Sequence, residues 1–131
     1  MESEKGYERV VELKTVKQPV VYACAIEGDK FVPVFISANF YGIWGFKEEE
    51  VLGDSEWWSK HLHPEERRIV LKNFANIFNA GCHTQEYRFR HMDGSYHWVY
   101  DRLRLVRDER GVPKEIVGLW LDIDEFKVEG I

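Results

Sequence analysis

What this chain of 131 residues lacks removes several classes of answer. No run of about 18 apolar residues occurs and no charged-then-apolar leader is present, so neither a membrane span nor a secretory signal is expected. The chain is read as cytoplasmic. No cluster of Lys and Arg breaks an acidic balance of 23 carboxylates against 18 cations, and nucleic acid is therefore not an expected partner. Cysteine is limited to Cys24 and Cys82, without the spacing of a zinc or redox motif, and both are read as reduced structural thiols. Also missing are a nucleophile elbow, a Walker loop, a zinc motif and a histidine-kinase phosphoacceptor box, so no catalysis is expected from these residues.

Aromatic residues are abundant instead: eight Phe, six Tyr and five Trp, enough to fill or line the interior of one domain. Most of the organisation comes from residues 86–127, which predict three consecutive antiparallel strands over 86–91, 96–106 and 115–123. Asp93-Gly94 supplies the positive-φ positions of a tight hairpin, and the turn over 107–113 has Gly111 and Pro113, so the strands form a meander. Alternation places Tyr87 and Phe89 on one face, and Val99, Leu103 and Leu105 together with Asp101. The third strand is apolar on both sides, with Ile116, Gly118 and Trp120 on one face and Val117, Leu119 and Leu121 on the other. Cover is therefore expected on both faces.

Earlier in the chain, residues 3–17 form a rough apolar stripe that predicts a helix docked on the outer face of the sheet. Residues 20–26 and 31–37 predict a hairpin, with Pro33 marking a sheet edge or a bulge. The pattern then turns helical. Asn39 is placed to cap a short helix that Gly45 closes, a second short helix ends at Gly53, and Trp57, Trp58 and Leu62 pin a third segment. Pro64 starts a helix of about four turns reaching Ala80, with Val70, Phe74, Ile77 and Phe78 on one side.

With the elements placed, several stretches together carry a family likeness. Phe35-Ile36-Ser37-Ala38-Asn39, Gly45 through Gly53, His63-Pro64-Glu65-Glu66, Tyr87 through Val99 and Val117 through Asp124 closely resemble a PAS domain with a C-terminal PAC segment. The resemblance implies an α+β fold: a five-stranded antiparallel sheet of order 2-1-5-4-3 with the helices on one face. It divides the chain into an amphipathic helix or linker over 1–18, the PAS/PAC domain over 19–127, and the start of a linker to an output domain over 128–131. The family commonly ends on Asp-Ile-Thr, whereas here Asp122, Ile123 and Asp124 stand in a position to relay a signal.

The resemblance also implies a ligand cavity between sheet and helices, with Tyr87, Phe89, Val99, Asp101, Leu103, Gly118 and Trp120 as candidate lining. Asp101 is the candidate for a ligand donor group or an internal partner, because a carboxylate facing an apolar chamber is costly unless it is bonded. The alternative is that the aromatics fill a core with no ligand. The ligand is not named by the sequence, but two cofactors are disfavoured. Covalent flavin needs a cysteine in the helical region, and residues 39–80 have none; haem needs an axial histidine on the long helix, and residues 65–80 have none. His61 and His63 precede that helix as loop residues, while His83, His91 and His97 lack ligand spacing.

The expected function is a sensory input domain excised from a larger signalling protein, a sensor histidine kinase first, working as a homodimer and passing a conformational change to a downstream output domain. A diguanylate cyclase is an alternative parent. The competing reading is a ligand-free module for dimerisation or protein interaction, using the N-terminal helix and the face holding Leu119 and Leu121.

Overall fold

The computed structural model describes residues 18–128. The helix expected over 3–17, and with it the cover expected on the outer face of the sheet, lies outside the described residues. Five strands, β1 (Val20–Glu27), β2 (Lys30–Ile36), β3 (Cys82–Arg90), β4 (Tyr96–Arg107) and β5 (Pro113–Asp122), form one antiparallel sheet of order β2-β1-β5-β4-β3. The N-terminal hairpin thus shares a ladder with the last strand, from Val20 opposite Trp120 to Ala25 opposite Glu115. Pro33 lies on the edge strand β2, opposite Cys24, where the register of β1 slips between Ala23 and Cys24. Its missing N–H interrupts the ladder, and its carbonyl instead accepts the Gly53 N–H at 2.9 Å.

β3 begins at Cys82 rather than at residue 86. Of the added Cys-His-Thr-Gln only Thr84 favours a strand on its own. Pairing with Asp101 to Arg104 of the long β4 extends it, a case of tertiary context overriding local preference.

The helices are α1 (Asn39–Trp44), α2 (Glu48–Val51), α3 (Trp57–His61), α4 (Pro64–Phe74), α5 (Ile77–Ala80) and α6 (Asp124–Val128). Two details differ from expectation. Ala38, not Asn39, stands at the N-cap of α1; the Asn39 amide donates to the Pro19 carbonyl at 2.9 Å and its oxygen accepts from the Ser37 hydroxyl, tying the helix to the start of β1. The single helix expected to reach Ala80 breaks after Phe74. Asn76 N–H bonds the Asn73 carbonyl three residues back, a tightened turn at two weak helix formers, and the chain restarts at Ile77. The break lets Phe74 pack on Phe31 while Ile77 buries fully against the sheet.

Below the helices lie two apolar clusters on one face of the sheet. The larger joins Phe40, Trp44, Phe46 and Trp57 to Tyr87, Phe89, Val99 and Trp120; the smaller gathers Ile77, Leu103, Leu105 and Ile116. Arg88 anchors the start of α4 to β3: its guanidinium donates to Glu66 at 2.7 Å and to Glu65 at 2.9 Å, and its backbone N–H bonds Glu66 as well. On the outer face Val117, Leu119 and Leu121 are half-buried.

Candidate ligand cavity and its polar floor

Between the β1–β2 edge of the sheet and helices α3 to α5 is a cavity of about 430 Å³. That volume lies within the range of about 300 to 1,000 Å³ usual for small-molecule sites. Its walls are aromatic and aliphatic, with Phe31, Trp57, Trp58, Phe74 and Trp120 prominent, and its mouth carries exposed groups including Lys30 and Phe35.

Asp101 sits at the floor, fully buried on an otherwise apolar face of β4. Two tyrosines hold it. Tyr22 Oη donates to Oδ1 and Tyr87 Oη to Oδ2, each at 2.7 Å. The Tyr87 oxygen in turn accepts two indole N–H groups, from Trp58 at 2.9 Å and Trp120 at 2.6 Å. One network therefore links β1, β3, β4, β5 and α3. Burial pushes the Asp101 carboxyl up to about 6, against the hydroxyl bonds from Tyr22 and Tyr87 and the nearby Trp120 N–H, which favour its charge. Burial and the nearby Asp101 charge hold both tyrosines well above their ordinary range. Burial also pushes the Cys24 thiol, on the cavity wall, up to about 12, so it is a poor nucleophile.

The raised carboxyl sets a pH dependence. The folded state binds a proton more tightly than the unfolded state, so Asp101 destabilises the fold increasingly as pH rises from about 4 to about 6. A shift of about two pH units corresponds to roughly 3 kcal/mol. In Asp101→Asn the side-chain oxygen can accept from Tyr87 and the amide can donate to Tyr22, so the fold is kept. Urea unfolding at a series of pH values should show the variant gaining on the wild type across this interval; parallel curves would show that the carboxyl does not titrate there.

Tyr22 reaches Asp101 by crossing β5, and Gly118 makes the crossing feasible. The two residues are directly paired, and a Cβ at Gly118 would collide with the Tyr22 ring. Gly118→Ala should push the phenol off the carboxylate and cost about 1 to 3 kcal/mol. An unchanged denaturation midpoint would contradict that close approach.

Of the seven residues singled out as lining, Asp101 and Trp120 border the cavity. Tyr87, Phe89 and Val99 are buried in the larger cluster, Leu103 lies in the smaller one, and Gly118 lies beneath Tyr22. Trp120 stacks edge-on against Phe89 at 4.5 Å and sits 5.3 Å from Trp44, so the centre of the chamber is filled and the open volume is displaced toward the sheet edge. The sequence places Trp58 as an anchor of its short helix, but neither Trp58 nor Tyr22 is among the expected site residues. The signal for Tyr22 was a glycine inside a strand, which marks a close approach by something else; for Trp58, on a single-turn helix, no periodicity was available.

The end of β5 is tied to the start of β4. Asp122 is buried, its carboxylate contacts His97 Nδ1 at 2.9 Å, and its other oxygen accepts the Asp124 N–H. Ile123 N–H bonds the Trp98 carbonyl at 2.9 Å, and the Asp124 carboxylate accepts the Trp98 N–H at 3.1 Å. The acidic residue at 124 thus closes the last rung of the ladder and opens α6, where negative charge suits the helix dipole.

His61 and His63 also have structural partners. His61 bonds the Trp57 carbonyl and stacks on Trp57 and Phe89, and burial holds its imidazolium below the usual range. The His63 ring caps α4 by accepting the Glu65 N–H. Among the described residues no three His, Cys, Asp or Glu side chains converge as a metal site.

A sheet of this order, with short helices enclosing a chamber on one face, is the architecture of the sensory-box class of domains. The chain belongs to the PAS-fold family, whose pattern matches residues 33–120. It is 31% identical over 107 residues to the two-component sensor PprA of Pseudomonas aeruginosa; the alignment takes in 81% of this chain and spans 11% of that sensor's length. The N-terminal domain of a diguanylate cyclase with a PAS/PAC sensor from Marinobacter aquaeolei has the same fold, with a TM-score of 0.73, 22% identity, and coverage of 84% of this chain and 99% of that one. So does a sensory box histidine kinase/response regulator from Burkholderia thailandensis, with a TM-score of 0.68, 20% identity, and coverage of 95% and 88%.

Proposed function

We propose that this chain is a sensory input domain of a multidomain signal-transduction protein, a sensor histidine kinase in the first instance. A small ligand occupies the cavity, and the resulting shift travels along β5 to Asp122, Ile123 and Asp124 and into the chain beyond. The observation that carries this reading is the position of Trp120. It borders the cavity and bonds Tyr87 above the buried carboxylate. Two residues further along the same strand, Asp122 makes the contact that fixes the strand's end. Similarity to a two-component sensor supports the choice of parent.

In this reading residues 19–127 form the sensing unit, 1–18 and 128–131 connect it to other parts, catalysis belongs to an output domain elsewhere, and the protein is cytoplasmic and homodimeric. No described helix is long and apolar enough to cross a membrane. A diguanylate cyclase parent would use the same unit unchanged. The half-buried apolar row Val117, Leu119 and Leu121 favours a second reading, a module for dimerisation through the outer face.

A melting-temperature screen against a metabolite library, run with sedimentation, separates the two. A ligand that binds only the folded state raises the melting temperature by mass action. A dimer that no metabolite stabilises would favour the second reading.

A further inference from the structure

We infer that the cavity takes a primary amine carried on a flat apolar body, with its ammonium group at Asp101 and its body among the aromatic walls. This rests on the sensory reading and gives it a ligand class.

Charge excludes the opposite class. Asp29, Asp54, Glu56 and Asp101 border the cavity, and Lys30 is the one cationic residue in its lining among the described residues. A cleft lined by one sign of charge concentrates ligands of the other sign and repels its own. Carboxylates and phosphates are therefore poor candidates.

The floor narrows the choice further, because it offers acceptors. Asp101 receives one hydroxyl on each oxygen, and a carboxylate has about four lone-pair sites, so half of its capacity remains. The Tyr22 hydroxyl already donates its hydrogen bond to Asp101 and can only accept. The Tyr87 hydroxyl already donates to Asp101 and accepts twice. A ligand group arriving here must donate. No Lys, Arg or His pairs with Asp101 among the described residues; its bonded partners are neutral. An ammonium group would supply both missing elements, several donors and a positive charge. The rings of Tyr22, Trp58 and Trp120 add attraction of a cation to aromatic faces. Phe31 and Phe74, in edge-on contact at 5.0 Å, accept the rest of a planar body.

Three probes with one indole body isolate the head group: tryptamine, tryptophol and indole-3-acetate, each titrated calorimetrically at neutral pH into the wild type and Asp101→Asn. Tryptamine should bind saturably and raise the melting temperature, tryptophol should bind more weakly, and indole-3-acetate should not bind. Asp101→Asn, checked for its fold by near-ultraviolet circular dichroism, should weaken tryptamine about tenfold or more and leave tryptophol within about threefold. Tryptamine binding no tighter than tryptophol, or equally well to both proteins, overturns the inference. Binding of tryptophol or indole-3-acetate without tryptamine would remove the amine and leave the cavity a ligand site. Silence of all three removes the amine as well, and the metabolite screen then decides the cavity independently.

Discussion

Trp120→Ala is expected to lower the unfolding free energy by about 3 to 5 kcal/mol, the usual cost of truncating a buried large aromatic side chain. The indole is 5% exposed, lies against Phe89 and Trp44, and makes the shortest hydrogen bond of the polar network, to Tyr87. Its removal joins the existing cavity to the centre of the chamber, so the neighbouring walls, already without support on the cavity side, have little means of collapsing inward. The measurement is a urea or thermal unfolding curve. An unchanged midpoint would place the indole outside the core and undo the account of what fills the chamber.

Tyr87→Phe should cost a comparable amount, about 3 to 6 kcal/mol, although it removes a single oxygen atom and leaves almost no void. That atom serves three partners, Asp101, Trp58 and Trp120, and its loss leaves the buried Trp120 N–H, the half-buried Trp58 N–H and one carboxylate oxygen short of a bond. The cost of an unsatisfied buried group exceeds the net worth of a satisfied bond, which is why the effect is large for so small a change. A loss below about 1 kcal/mol would show that the partners re-pair locally or reach water. Combining Tyr87→Phe with Asp101→Asn should cost less than the sum of the two, because both disrupt one network.

The face assignments were legible in the sequence because side-chain alternation is strict wherever one face is apolar, whereas the ladder order came from the family resemblance. Tyr87, Phe89, Val99 and Asp101 lie on the expected face for that reason. Asp101 stood out as the one carboxylate in an apolar row, and its need for partners could be stated before they were known. Their identity could not. Tyr22 comes from a strand that is apolar on both sides, where alternation does not distinguish faces, and its reach across β5 depends on non-local pairing. The location of the open volume was also not legible, because it depends on how completely Trp44, Trp57, Phe89 and Trp120 fill the centre, a matter of packing and not of pattern. The break after Phe74 belongs with these: Asn73 and Asn76 weaken the helix, but where it yields is set by the sites that Phe74 and Ile77 occupy.

The cavity already has a mouth, bordered by the exposed side chains of Phe35, Leu71 and Phe78 beside an edge strand. On the proposed sensory reading, a ligand that enters by this mouth exchanges at a rate set by diffusion and by how long it stays. A sensor built this way follows the present concentration of its ligand and keeps no memory of an earlier one.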